Sequence, residues 1–145
     1  MSTADSQITH LLDTCVLSEI IKPLPEVKVV NWLVAHSHQY TASMVTFAEL
    51  NFGVHLLASS KRKIELSAWI EQLRAEFGNN VLQTTEEVWQ THASIKAHLV
   101  RSGKRIDDDL DLLIAATAKI HKLILVTRNT KHFEKAGVAL FNPWD

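Results

Sequence analysis

Short apolar runs that end on a polar residue alternate along this chain with longer stretches of helical period. HLLDT (10–14), YTASM (40–44), NVLQT (80–84) and LILVT (123–127) are the short runs, each of a length that suits a buried strand. Between them apolar residues recur every three or four positions. PEVKVVNWLVAHS begins on a proline, VTFAELNFGVHLLA (45–58) follows, and KRKIELSAWIEQLRAEFG closes on Gly78, a frequent helix stop. TEEVWQTHASIKAHLVRSG is acidic at its start and basic near Gly103, which matches both poles of a helix dipole. DLDLLIAATAKIH is a further helix, TKHFEKAG a short one and VALFNP an edge strand. This alternation predicts an α/β layered fold with a mainly parallel sheet. Functional side chains in such folds gather outside the carboxyl ends of the strands.

The chain has 145 residues, 46% of them hydrophobic and 21% charged, enough for one domain with a real core. No repeat or Pro/Gly/Ser-rich linker divides it, so residues 1–9 are expected to be a flexible polar lead-in and residues 10–145 a single domain. No apolar run reaches the ~18 residues of a membrane span. The start, MSTADSQITH, lacks the basic and apolar regions of a secretory signal, so a cytoplasmic location is expected. Cys15 is the single cysteine, which excludes an internal disulfide and a cysteine-based zinc cluster. The net charge of −1 leaves a nucleic-acid partner open. Basic residues cluster at Lys61–Lys63, at Arg101, Lys104 and Arg105, and at Arg128, Lys131 and Lys135, positions able to meet phosphates if the fold brings them to one rim.

The acidic residues are more informative. Asp13 follows the strand HLL and belongs at its carboxyl end, either as a helix cap or as a site residue. Glu49 shares a helical stripe with Val45, Thr46, Phe52 and Gly53, where an unpaired carboxylate costs several kcal/mol. In RIDDDLD, Asp111 falls on the stripe of Ile114, Ala115 and Ala118. Asp107 and Asp109 are read as helix-capping residues, and Asp108 as either a cap or an auxiliary ligand. Capping needs only one carboxylate, so the excess of like charge asks for a cation. Three carboxylates from three separate segments suit a hard divalent ion such as Mg²⁺. The eight scattered histidines form no HExxH and are read as surface or packing residues, which disfavours zinc.

In LLDTCVLSE (11–19), TFAELNFGV (46–54), DLDLLIAATAKIHKLILVTRNTKHF (109–133) and AGVALFNPW (136–144) the chain resembles the PIN-domain ribonucleases, within them the VapC and FitB-type toxins of bacterial toxin–antitoxin systems. The resemblance implies a three-layer α/β/α fold around a central mainly parallel sheet. It also implies an endoribonuclease dependent on Mg²⁺ or Mn²⁺, in which Asp13, Glu49 and Asp111 are the catalytic, metal-binding residues. Asn129 stands where an acidic residue often follows the fourth strand, and it is expected beside Thr127 and Asp108 as a second layer around the metal. Arg101, Lys104, Arg105, Arg128 and Lys131 are expected to hold the RNA backbone. Further implications are a homodimer, possession of a cognate antitoxin, larger toxin–antitoxin assemblies, and DNA contact only through the antitoxin.

Trp32, Trp69, Trp89 and Trp144 sit mostly on apolar helical patterns and are expected in core or dimer packing. A phosphoacceptor receiver domain is a poor rival, because YTASM ends without an aspartate and LILVT leads to Arg128 instead of a lysine. The Asn129 departure sustains a second reading, a PIN-like protein that binds RNA or an antitoxin without cleavage.

Overall fold

The computed structural model of the protein describes residues 7–104 and 108–145. The phosphate contact expected of Arg105 and the cap expected of Asp107 lie outside the described residues. In chain order the elements are β1 (His10–Leu12), α1 (Thr14–Ile20), α2 (Val27–Ala35), β2 (Tyr40–Thr41), α3 (Met44–His55), α4 (Lys61–Phe77), α5 (Glu86–Arg101), α6 (Asp109–His121), β3 (Ile124–Val126), α7 (Thr130–Phe133) and β4 (Leu140–Phe141).

The strands form one parallel sheet in the order β2-β1-β3-β4. Alternation along the two central strands then separates two cores. Leu11 and Leu125 point to one face and pack with Ile95, Leu99, Leu112, Ala116 and Phe133 from α5, α6 and α7. Leu12 and Val126 point to the other and pack with Val16, Leu33, Phe47 and Ile70 from α1 to α4. The result is the three-layer α/β/α arrangement, with the carboxyl ends of β1 and β3 side by side at its centre.

The expected strand at NVLQT shrinks to one parallel bridge between Ser43 and Leu82. Only Leu82 is bonded on both sides of its peptide, to Ala42 and Met44, because the segment lies beyond the end of β2 and quickly turns into the Thr85 cap of α5. Asp13 takes the cap role open to it in the sequence: the chain turns helical at Thr14, with the Asp13 side chain accepting from the Thr14 amide. Within the expected lead-in, Ile8 packs on the first core and Thr9 bonds to Gln39 and Ile124.

Candidate active site

Three segments bring four acidic side chains to the carboxyl end of the sheet. Asp13 leaves β1 in extended backbone and caps α1, its Oδ1 accepting from the Thr14 amide at 2.8 Å. Its Oδ2 accepts from the Thr127 hydroxyl at 2.7 Å, and both residues are buried. Glu49, one and a half turns into α3, accepts from the Thr14 hydroxyl at 2.6 Å. Asp108 caps α6 through the Leu110 amide at 2.8 Å. Asp111, in the first turn of α6, lies 2.9 Å from His132 Nε2 on α7.

Glu49, Asp108 and Asp111 each offer an oxygen within 4.8 Å of one another. Asp13 is not in that triplet. Its two oxygens are held by Thr14 and Thr127, but its charge still reaches the others. Burial, then the charge of Asp13 and Asp108, pushes the Asp111 carboxyl up to about 6, partly offset by His132. Burial likewise raises Glu49, with the Thr14 hydrogen bond opposing and the three aspartates adding to the rise. The carboxylates thus crowd into mutual repulsion with few cationic partners. An all-oxygen donor set of this size fits a hard divalent ion of the Mg²⁺ or Mn²⁺ kind.

Asp108 is therefore both a cap and a member of the acidic triplet, two roles the sequence leaves open. Asp109 is no cap; it turns to α5, where Lys96 sits 3.1 Å and His92 3.3 Å away. Those partners hold its carboxyl below the usual range, Lys96 contributing most.

Thr127 stands where a second layer is expected, since it donates to Asp13 and accepts from the Asn129 amide at 3.1 Å. Asn129 is exposed, and its side chain makes no hydrogen bond among the described residues. Two polar residues of this site were missed in the sequence. Thr14 looks like a cap residue but serves Glu49, and His132 looks like one of many scattered histidines but reaches Asp111. Both follow a strand's carboxyl end, the same positional signal that selects Asp13. Cys15 lies beside Asp13 and Thr127, but burial pushes its thiol up to about 11, so it stays protonated at neutral pH.

Of the expected phosphate contacts, Arg128 follows Thr127 in the chain and holds its guanidinium 5.2 Å over the ring of Trp144. Trp144 packs against the second core as expected, and its ring also supports the Arg128 guanidinium. Lys131 is exposed on α7, and Lys104 just past α5. Arg101 does not border the acidic triplet: it lines a separate groove with Lys119 and Lys135. A cavity of about 300 Å³ lined by Leu17, Ile20, Leu33, Tyr40 and Phe77 contains none of the acidic site residues. A shallower groove of about 290 Å³ between α1, α3 and α4, walled by Leu50, Val54, Leu57, Leu66 and Trp69, has Glu49 and Thr14 in its lining.

The chain belongs to the PIN domain family, whose model matches residues 10–138. Within that family it is similar to the toxin FitB of Neisseria gonorrhoeae, with 41% identity across 92% of this chain and 97% of that protein. It is also similar to the VapC ribonuclease Y4jK of Sinorhizobium fredii, at 34% identity over 93% and 97% of the two chains. The solved structure of FitAB bound to an IR36 DNA fragment contains a chain that superposes with a TM-score of 0.88 at 39% identity, covering 94% of this chain and 96% of that one.

Two outcomes follow from this geometry. Asp111 has a folded pKa above its value of 3.8 in the open chain. Ionising it therefore costs stability as pH rises through about 6, and that cost is absent below about 4. Asp111→Asn should raise the unfolding free energy of the metal-free protein at pH 7, by on the order of 1–2 kcal/mol for a half-buried, partly screened group. The gain should vanish in urea titrations run near pH 4; an equal gain at both pH values would contradict the repulsion. Thr127→Val strips a buried donor from Asp13 and should lower stability by about 1–3 kcal/mol in the same assay.

Proposed function

We propose that the chain is the toxin of a toxin–antitoxin pair and acts as an endoribonuclease that depends on Mg²⁺ or Mn²⁺. The observation that carries this reading is the meeting of Glu49, Asp108 and Asp111 oxygens within 4.8 Å, in a chain of the PIN family. Asp13 adds fixed negative charge behind them, held in place by Thr14 and Thr127.

Glu49, Asp108 and Asp111 would hold the ion directly or through water, with Asp13 as a fourth carboxylate at the back. A divalent ion bound there supplies positive charge to a phosphate oxygen and makes a neighbouring water more acidic. The remaining work falls to the chain's own groups. His132 engages Asp111 Oδ2 and would hold that carboxylate in place. Whichever of these carboxylates does not bind the ion directly is placed to take the proton of the attacking water. Arg128 on Trp144, Lys131 and the side-chain amide of Asn129 would grip the RNA backbone.

The partner proposed for this toxin is a cognate antitoxin with an apolar segment. The groove of Leu50, Val54, Leu57, Leu66 and Trp69 would seat that segment, and Glu49 at its edge would receive a cationic side chain that blocks the site. The FitAB complex was solved bound to a DNA fragment; for this chain DNA contact is assigned to the antitoxin. Exposed Phe52 and Leu56, one turn apart on α3, offer apolar surface for a homodimer. Among the described residues no helix is long and apolar enough to cross a membrane, and the cytoplasm, where RNA targets reside, is the proposed location.

The test is cleavage of total RNA by the chain purified free of any partner, with Mg²⁺, Mn²⁺ or EDTA. Cleavage should require the divalent ion and fall by about two orders of magnitude or more in Glu49→Gln and Asp108→Asn. Folded protein that cuts no RNA under any divalent ion would leave the binding reading in place.

A further inference from the structure

The face formed by α5, α6 and the turn Glu134–Ala136 carries a concave cationic groove that the nuclease reading leaves unused. Ser94, His98 and Arg101 from α5, Lys119 from α6 and Lys135 line a space of about 350 Å³, completed by Ala136 and Gly137. Among the described residues no carboxylate lines it. Arg101, Lys119 and Lys135 are exposed and make no ion pair among the described residues.

Helix-dipole complementarity accounts for Arg101 and Lys119 one at a time, since each stands in the last turn of its helix. It does not account for their convergence with Lys135, which belongs to a three-residue turn, on one concavity free of acids. The whole chain carries a net charge of −1, so three cations that find no counter-charge among the described residues are a local departure. Such a patch attracts a polyanion. The guanidinium can take a phosphate through two parallel hydrogen bonds, the two ammonium groups act as point charges, and the Ser94 hydroxyl adds a donor. A volume near the lower bound of ligand sites has room for one nucleotide of a chain.

The position of the groove narrows the ligand. Lys119 lies eight residues beyond Asp111 on α6, about 12 Å along the helix axis. One helix therefore carries the acidic site at its amino end and a groove cation at its carboxyl end. We infer that the groove is an anchoring site for the phosphodiester backbone of a structured RNA whose scissile bond lies at the acidic site. The inference rests on the nuclease reading for its substrate. An acidic pocket by itself repels RNA, so cations set away from it supply the binding while the carboxylates stay available for chemistry. Backbone contacts at a fixed offset favour a folded RNA, whose shape presents distant phosphates together, over a short single strand.

The test measures binding apart from cleavage. The full-length chain carrying Asp111→Asn is titrated in EDTA with a fluorescent RNA hairpin, and anisotropy is followed from 50 to 200 mM salt. Adding Lys119→Glu with Lys135→Glu should weaken binding at least tenfold and flatten the log–log salt dependence by about 2. Lys135→Gln alone, away from any α-helix end, should flatten it by about 1; its thermal midpoint checks that the fold is intact. Unchanged affinity and slope in both variants would overturn the inference. So would normal RNA binding combined with loss of a co-purified protein partner, which would assign the groove to protein. Cleavage by the unaltered chain decides the nuclease reading separately. A chain that cuts RNA while the groove variants bind hairpin normally sinks only the groove; groove variants that lose the hairpin in a chain that cuts nothing sink only the nuclease.

Discussion

The hydrogen bond from Thr127 to Asp13 joins the carboxyl ends of the two central strands, and the site is organised around that junction. Both groups are buried, so neither can turn to solvent for a replacement partner. Asp13 uses its other oxygen to start α1, which places Thr14 against Glu49. Thr127 accepts from the Asn129 amide at the start of α7, and α7 delivers His132 to Asp111. Two short chains of hydrogen bonds thus run outward from one buried pair to the carboxylates on α3 and α6. Strand packing fixes the junction, because Leu11 with Leu125 and Leu12 with Val126 anchor β1 and β3 in cores on opposite faces.

What these bonds hold is electrostatically unfavourable. Glu49 and Asp111 both stand above their ordinary carboxyl range, and burial is the leading cause for each, with neighbouring aspartates adding to it. A protein maintains such crowding when a cation or a protonation step makes use of it. The surroundings agree with this division of labour. Cationic side chains are taken up elsewhere, Arg128 on the ring of Trp144 and Arg101, Lys119 and Lys135 in a separate groove. Lys96 is absorbed by Asp109 and does not reach the triplet.

Much of this was legible from residue order. Alternating strand and helix patterns identify the layered parallel fold, and the rule that sites lie beyond strand ends singles out Asp13. Helical spacing separates Asp111 from Asp109, and the structure keeps them on different partners. The remainder depends on tertiary contacts that spacing cannot express. Asp108 joins Glu49 because α3 and α6 approach across the sheet end, whereas Asp13 stays outside the triplet with its carboxylate bonded to Thr14 and Thr127. His132 was hidden among eight histidines, since only the short helix α7 shows which one faces Asp111. Arg101 was grouped with Lys104 by nearness in sequence, but it stands on the face of α5 that looks toward Lys119 and Lys135. The expected strand at NVLQT failed because a strand-like composition forms a ladder only where a neighbouring edge continues, and β2 is two residues long.

The central claim is that Glu49, Asp108 and Asp111 form the cradle of a divalent ion, with Asp13 behind it. The most direct measurement is anomalous diffraction from crystals of the protein soaked in Mn²⁺. The account predicts a manganese peak bounded by oxygens of Glu49, Asp108 and Asp111, lost in crystals of Asp108→Asn with Asp111→Asn. A well-ordered site that stays free of manganese at millimolar concentrations, or a peak held elsewhere without these carboxylates, would contradict it.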